Sequence, residues 1–169
     1  MALFQPDDWF CDVTRITPEY LKKRDIRALI LDVDNTLTAH GSQHLPPEVE
    51  AWLDTMRAAG IGLTIASNNW EKRVAPFAQK IGLDHVSFSL KPLPKGLAAA
   101  RKKFGLPRKN IALVGDQIFT DCLGANLYGI TMLLVTPREK DTQWNIILKR
   151  RLEVPFLDHY KKKGGSYHG

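Results

Sequence analysis

Short apolar runs alternate with amphipathic segments between residues 27 and 136 of this 169-residue chain. The runs are nearly continuous in apolar residues, which is typical of strands buried on both faces of a parallel sheet. They fall at 28–31, 61–66, 86–88, 111–114 and 130–135. The pattern therefore predicts a three-layer, Rossmann-like α/β fold in which helices cover both faces of a parallel sheet.

The segments between these runs have the spacing of helices with one buried face. Apolar residues recur three and four positions apart at Val49, Trp52, Leu53 and Met56 and again at Val74, Phe77, Ala78 and Ile81. Four predicted helices are followed by a glycine and an apolar residue, which is typical of a left-handed helix cap. The pairs are Gly60-Ile61, Gly82-Leu83, Gly105-Leu106 and Gly129-Ile130.

Residues 1–26 form a lead-in to this repeating unit. Its apolar residues suit either packing on the body of the protein or contact with a membrane surface, and we favour packing. They are Trp9, Phe10, Val13 and Ile16. Thr17 and Pro18 predict the N-cap and first position of a short helix.

The composition is that of an ordinary globular chain, with 44% apolar residues. No apolar run approaches the ~20 residues that span a bilayer, and the N-terminus lacks the pattern of a secretion signal. Cys11 and Cys122 are too few and too far apart for a disulfide framework or a metal site. We therefore expect one domain, 1–169, of a cytoplasmic protein, with its core at 27–136.

The net charge of +6 and the sequence pI near 9.4 favour an anionic partner. Phosphate esters, anionic lipid head groups and nucleic acid all fit this charge. A basic surface that serves solubility alone is the alternative.

Polar side chains follow four of the predicted strands at the point where each strand ends. In chain order they are Asp32 and Asp34, Ser67-Asn68-Asn69, Lys91, and Asp116 with Asp121. Because the carboxyl ends of parallel strands meet at one edge of a sheet, we expect these groups to converge. Asp32 and Asp34 repel each other unless one is protonated or a cation lies between them. Both outcomes suit phosphoryl chemistry, with one carboxylate as nucleophile and a bound Mg²⁺.

Each of these residues also has a purely structural interpretation. Asp34 or Asn35 is consistent with an acidic turn that hydrogen-bonds its own backbone. Ser67 is consistent with a helix N-cap, and Lys91 with a solvated surface lysine. Four such groups in order at one edge favour a functional site.

The chain resembles the haloacid dehalogenase (HAD) superfamily in four motifs that occur in the right order. The matching residues are Asp32-Val33-Asp34-Asn35-Thr36, Ser67, Lys91, and Asp116 with Asp121. The resemblance covers about residues 27–136, and an aspartate at position 34 resembles the phosphatase branch. It implies a HAD-like fold and a Mg²⁺-dependent phosphatase.

The acidic residues then receive the following roles. We expect Asp32 to attack phosphorus and form an aspartyl-phosphate, and Asp34 to protonate the leaving group and then activate water. The expected metal ligands are Asp32, the backbone carbonyl of Asp34, and Asp116, with Asp121 beside or among them.

The remaining motif residues are expected to contact the substrate. Ser67 would hydrogen-bond a phosphoryl oxygen, and Lys91 would balance the charge of Asp32 and of the transferred group. Thr36 is a candidate for substrate binding, but bracing of the loop suits it better. Asn68 suits either substrate contact or shaping of the turn.

More narrowly, the motifs resemble the YqeG-type subclass IIIA group, which includes mitochondrial phosphatidylglycerophosphate phosphatases. This resemblance implies a lipid phosphate as a candidate substrate. Thr36 and Ser67 are 31 positions apart, and Ser67 and Lys91 are 24 apart. Each gap is filled by one helix and one strand, so we expect a capless enzyme with an open site.

The C-terminal segment, 138–169, carries a net charge of +4. Trp144, Ile147, Leu148, Arg151 and Leu152 lie at helical spacing in it. This helix suits either an anionic membrane surface or packing on the sheet with a solvated basic face, and we favour packing. Residues 161–169 are expected to be a disordered tail.

The function that we infer is a HAD-type phosphoric monoester hydrolase acting on phosphatidylglycerophosphate or another large phosphate, with peripheral membrane association as one alternative. A phosphatase of soluble or polynucleotide phosphates and a weakly active partner-binding module remain alternatives. We do not expect nucleic acid to be the main partner, and the sequence indicates no oligomeric state.

Overall fold

A computed structural model describes residues 2–140 and 143–169. Within them, seven strands form one sheet: β1 (Asp8–Phe10), β2 (Ala28–Leu31), β3 (Gly62–Ala66), β4 (Asp84–Val86), β5 (Ile111–Gly115), β6 (Thr131–Val135) and β7 (Tyr167–His168). They lie in the order β4-β3-β2-β5-β6-β1-β7, and every neighbouring pair is parallel. The predicted parallel sheet is confirmed, with β2 between β3 and β5.

Six α-helices of the described chain cover this sheet: α1 (Pro18–Lys23), α2 (Pro47–Ala58), α3 (Glu71–Lys80), α4 (Pro94–Lys102), α5 (Leu123–Tyr128) and α6 (Trp144–Lys162). The side chains of β2 alternate between two cores. Leu29 and Leu31 pack with α2 and α3 on one face, and Ala28 and Ile30 pack with α4 and α5 on the other. The three-layer α/β architecture is therefore confirmed.

Helix boundaries follow the predicted glycine pattern. Gly60, Gly82, Gly105 and Gly129 have φ values of +74°, +67°, +65° and +79°, which glycine adopts without strain. Thr17 caps α1, since its side chain accepts a hydrogen bond from the backbone N–H of Tyr20 at 3.2 Å.

The lead-in packs on the body of the protein, as we favoured, and contributes a strand that the sequence pattern did not reveal. Its four apolar residues are buried. β1 lies between β6 and β7, and Asp8 in it is buried against the hydroxyl of Tyr20, 2.7 Å from a carboxylate oxygen. Three residues that begin with an aspartate are too short to show a strand period.

Two further expectations differ from the structure. The third strand was predicted at 86–88, whereas β4 ends at Val86 and Phe88 lies in the following loop, 50% exposed. The tail predicted to be disordered forms β7, because backbone bonds join Trp9 N–H to Ser166 C=O at 3.1 Å and Cys11 N–H to His168 C=O at 2.8 Å.

α6 packs on the sheet through a different face from the one that its apolar spacing suggested. Ile146, Glu153 and Tyr160 are its buried residues. Trp144 and Leu152 are exposed instead. The prediction of the buried face was wrong because Glu153 is buried against the backbone N–H groups of Ile118 and Phe119, and Arg150 beside it pairs with Asp116.

The helices and strands between the motifs leave no inserted domain over the site. Between Thr36 and Ser67 the chain forms α2 and β3, and between Ser67 and Lys91 it forms α3 and β4. The capless architecture is therefore present in this segment. Among the described helices, none combines the length and the apolar character that crossing a bilayer requires.

Candidate active site

Most of the predicted site residues line one pocket at the carboxyl edge of the sheet, whereas Thr36, Asp116 and Asp121 do not line it. The pocket has a volume of about 310 Å³ and is lined by five of the predicted residues: Asp32, Asp34, Ser67, Asn68 and Lys91. Asp32 directly follows β2, Ser67 follows β3, and the loop after β4 supplies Lys91. Gln117 and Thr120, which follow β5, also line the pocket, so four separate segments of sequence converge, as the parallel order of the strands requires.

Three buried carboxylates form the centre of the site. Oxygens of Asp32, Asp116 and Asp121 lie within 4.8 Å of one another, and these residues are only 8%, 3% and 1% exposed. Burial raises the pKa of Asp32 to about 7, with Asp121 and Asp34 adding to the rise and Lys91 opposing it. Burial also raises the pKa of Asp116 well above its ordinary value, against the effect of Arg150.

Lys91 is the cation at the centre of this cluster. Its Nζ lies 2.7 Å from Oδ1 of Asp32 and 2.7 Å from Oδ1 of Asp121. Burial alone would lower the pKa of Lys91, but Asp121 and Asp32 raise it above its ordinary value. Lys91 is therefore charged at neutral pH and partly neutralises two carboxylates.

Asn68 holds the loop that presents Lys91. Its Oδ1 accepts hydrogen bonds from the backbone N–H of Lys91 at 2.7 Å and from the hydroxyl of Ser89 at 2.8 Å, and its Nδ2 donates to the carbonyl of Lys91 at 2.8 Å. The next peptide bond, Lys91-Pro92, is cis. Asn68 lines the pocket but directs both ends of its amide to the protein, so substrate contact by Asn68 stays a prediction.

Asp34 lies beside the carboxylate cluster in a separate set of hydrogen bonds. Its Oδ1 accepts from the backbone N–H of Gly41 at 2.7 Å and from Arg73 at 2.9 Å, and its Oδ2 accepts from Asn69 at 2.9 Å. Burial raises the pKa of Asp34, but Gly41, Asn69 and Arg73 outweigh it and hold the pKa below its ordinary value. The carboxylate is therefore ionised in this arrangement.

Thr36 and Ser67 occupy different surroundings. Thr36 is fully buried, and its hydroxyl lies 3.4 Å from Oδ1 of Asp116, to which it donates. Ser67 lines the pocket, and its Oγ accepts from the backbone N–H of Asn69 at 3.2 Å. Ser67 thus combines the turn-capping geometry with access to the pocket, whereas Thr36 braces a carboxylate.

Sequence reasoning missed the contribution of α6 to the site. Arg150 forms an ion pair with the carboxylate of Asp116 and donates to its backbone carbonyl at 2.6 Å. Glu153 accepts from the backbone N–H of Ile118 at 2.7 Å, at the start of the π-helical turn Ile118–Cys122 that carries Asp121. The only sequence signal was an acid three positions after an arginine in a basic helix, which is weak.

The start of α6 also forms one wall of the pocket. Gln143, Asn145, Ile146 and Lys149 line it. The amide of Gln143 lies 3.0 Å from a ring nitrogen of His40 in the loop after β2. Within the described residues no inserted domain covers the site, but α6 borders it on this side, which the sequence did not indicate.

The site is a buried acidic cluster with one lysine at the carboxyl edge of a parallel α/β sheet, and this arrangement is consistent with a phosphate-processing hydrolase. Residues 39–129 match the family model described as haloacid dehalogenase-like hydrolase. The chain belongs to this family and is a phosphatase of it.

The most informative relatives are phosphatases by name. The chain is 34% identical to "Probable phosphatase YqeG" of Bacillus subtilis (strain 168), over 95% of this chain and 94% of that protein. It is 27% identical to "Phosphatidylglycerophosphate phosphatase 1, chloroplastic/mitochondrial" of Arabidopsis thaliana, over 90% of this chain but only 47% of that protein.

Solved structures support the same fold. A 4-nitrophenylphosphatase from Thermotoga maritima matches 70% of this chain and 89% of its own chain, with a TM-score of 0.58 and 14% identity.

Proposed function

We propose that this protein hydrolyses a phosphomonoester with Mg²⁺ through an aspartyl-phosphate on Asp32. The observation that carries this proposal is the group of three buried carboxylates, Asp32, Asp116 and Asp121, beside Lys91. Carboxylates buried this close together need cations around them. Lys91 contacts Asp32 and Asp121, Arg150 pairs with Asp116, and a bound metal ion would add further positive charge to this cluster.

The residues present fit Mg²⁺. Oxygen ligands suit this hard cation, and a few carboxylates supplemented by water are its usual protein site. Asp32, Asp116 and Asp121 offer oxygens within 4.8 Å of one another, and the backbone carbonyl of Asp34 is our fourth candidate. When bound, Mg²⁺ would withdraw charge from the phosphoryl oxygens and lower the repulsion between the two anions.

The protein groups divide the reaction between them. Asp32 attacks phosphorus, and Lys91 holds its carboxylate in place and balances the charge of the transferred group. Ser67 hydrogen-bonds a phosphoryl oxygen. Asp34 protonates the leaving alkoxide and later takes a proton from water, and a bound phosphate raises its pKa toward that role because like charges disfavour ionisation.

For the substrate we propose phosphatidylglycerophosphate or another lipid phosphate, processed by a cytoplasmic protein at a membrane surface. The named activity of the Arabidopsis relative supports this choice, as do the capless pocket and the net charge of +6. Phosphatases of soluble or polynucleotide phosphates share the same chemistry, so the substrate screen must include them.

The test is turnover of an aryl phosphate with Mg²⁺ by the wild type and by Asp32→Asn. We expect Mg²⁺-dependent hydrolysis that falls at least about a thousandfold in the variant, since removal of a nucleophile abolishes its covalent route. No turnover by the wild type would favour the partner-binding module. A screen of lipid phosphates in detergent against soluble esters and polynucleotide ends then identifies the substrate class.

A further inference from the structure

Two groups of exposed apolar side chains include residues that are adjacent in sequence to the lining of the pocket. The first, the loop patch, consists of Trp70, Phe88, Leu90 and Leu93, which are 68%, 50%, 39% and 57% exposed. The second, the helix stripe, consists of Trp144, Leu148 and Leu152 on α6, which are 77%, 44% and 55% exposed. Seven large apolar residues in two groups exceed the scattered exposure that a folded surface normally shows.

Both groups are tied to the catalytic pocket through the chain. Trp70 directly follows Asn69, and Leu90 directly precedes Lys91, both of which line the pocket. Trp144 lies between the lining residues Gln143 and Asn145, and Leu148 precedes Lys149. The loop patch and the helix stripe therefore border the pocket from two different elements.

The backbone holds the loop patch outward at some cost in strain. Phe88 and Leu90 have φ values of +47° and +58°, in the left-handed region that side chains of this size rarely adopt. Backbone bonds from Phe88 to Asn69 at 2.8 Å and from Ser89 to Ser67 at 2.9 Å fix the loop in this form. The rings of Phe88 and Trp70 stack at 4.9 Å, so they project as one apolar unit.

Charge indicates what covers these groups. Lys72 and Lys95 are exposed close in sequence to the loop patch, and Lys149 and Arg151 are exposed on α6 between members of the helix stripe. An apolar surface with tryptophans and flanking basic residues fits the interface of an anionic bilayer, where the rings enter the head-group region and the cations meet lipid phosphates.

We infer that the loop patch and the helix stripe form a docking surface for an anionic lipid bilayer, with the pocket mouth between them. This inference rests on the proposed lipid substrate and deepens it. Docking through these residues brings a lipid head group to Asp32 without extracting the lipid from the bilayer.

Tryptophan fluorescence gives a direct test. Trp9 and Trp52 are buried, so Trp70 and Trp144 are the two that a bilayer can reach. We expect vesicles of phosphatidylglycerol and phosphatidylcholine that contain brominated lipid to quench the wild type. Trp70→Phe and Trp144→Phe should each lose part of that quenching, and phosphatidylcholine vesicles alone should quench little.

Co-sedimentation with the same anionic vesicles measures affinity. We expect Trp70→Ser/Phe88→Ser and Trp144→Ser/Leu148→Ser each to weaken binding by about tenfold or more, because each removes apolar area from the interface. Leu127→Ser is the matched control, since Leu127 is 49% exposed on α5 and does not line the pocket. It should bind like the wild type.

Several results would overturn the inference. They are an absence of binding at low salt, no quenching of either exposed tryptophan, or binding that survives both double substitutions and vanishes only with salt. Self-association of the wild type that the double variants lose would instead make this face an interface between copies. Aryl phosphate turnover is measured in parallel, so a docking protein without phosphatase activity would refute the proposed function and leave the docking surface standing.

Discussion

Glu153→Ala should loosen the segment that carries two of the three clustered carboxylates. Glu153 is buried, and its carboxylate accepts from the N–H groups of Ile118 at 2.7 Å and Phe119 at 3.4 Å while pairing with Arg150 at 3.2 Å. The substitution leaves the Ile118 N–H unsatisfied and removes one partner of Arg150. Arg150 keeps Asp116 as a partner, so the main loss is a buried backbone N–H without an acceptor, which costs about 1–3 kcal/mol.

This loss has a measurable size for a chain of this length. A loss of about 1 kcal/mol lowers the Tm of a 150–250-residue protein by about 2–4 °C, so we expect a fall of about 2–12 °C. Because Asp116 precedes the loosened turn and Asp121 lies in it, the Mg²⁺ concentration for half-maximal turnover should rise by at least about tenfold. Calorimetric titration with Mg²⁺ in the absence of substrate should show the same weakening.

Glu153→Gln is the matched control for this prediction. The glutamine keeps an acceptor for the Ile118 N–H but loses the charge that pairs with Arg150, so its Tm and Mg²⁺ affinity should lie between those of the wild type and Glu153→Ala. The reasoning is refuted if Glu153→Ala unfolds at the wild-type temperature and binds Mg²⁺ with wild-type affinity. In that case the turn would hold its own shape without α6.

Two further predictions concern the loops around the pocket. In Gly96→Ala the new Cβ would overlap the backbone oxygen of Ser89, so the loop that presents Lys91 must move; we expect a loss of about 1–3 kcal/mol and at least tenfold lower kcat. Gly105→Ala has open space around its Cβ but a φ of +65°, so it should lose stability while keeping wild-type kcat. Arg73→Met removes a charged hydrogen bond to Asp34 and should cost about 1–3 kcal/mol at pH 7 by urea unfolding. The folded-state pKa of Asp34 is held below its ordinary value of 3.8. The stabilisation that Arg73 gives is therefore present above pH 3.8 and is lost as the pH falls through the folded-state pKa. A stability difference from wild type that stays constant down to pH 3 would contradict this prediction.

Much of the core could be predicted from the sequence because its signals are local. Near-continuous apolar runs indicated the central parallel strands, and glycines such as Gly60 and Gly129 marked the helix ends that the structure confirms. Polar residues at strand ends indicated a converging site, because parallel topology alone brings such ends together. These inferences needed no knowledge of which side chains meet.

The remainder depends on pairings between distant segments. β1 and β7 are three and two residues long; β1 is held by bonds to β6 and β7, and β7 by bonds to β1, rather than by a period of their own. The buried face of α6 includes Glu153, which a hydrophobic pattern excludes, because its partners are backbone groups 34 and 35 positions earlier. The same error hid the wall that α6 contributes to the pocket.

The most direct test of the central claim is to trap the phosphorylated enzyme. Acid quenching during turnover of an aryl phosphate with Mg²⁺, followed by peptide mass spectrometry, should place a phosphoryl group on Asp32, and Asp32→Asn should give none. Rapid turnover by the wild type with no phosphorylated Asp32 at any quench time, and the same turnover by Asp32→Asn, would contradict the account.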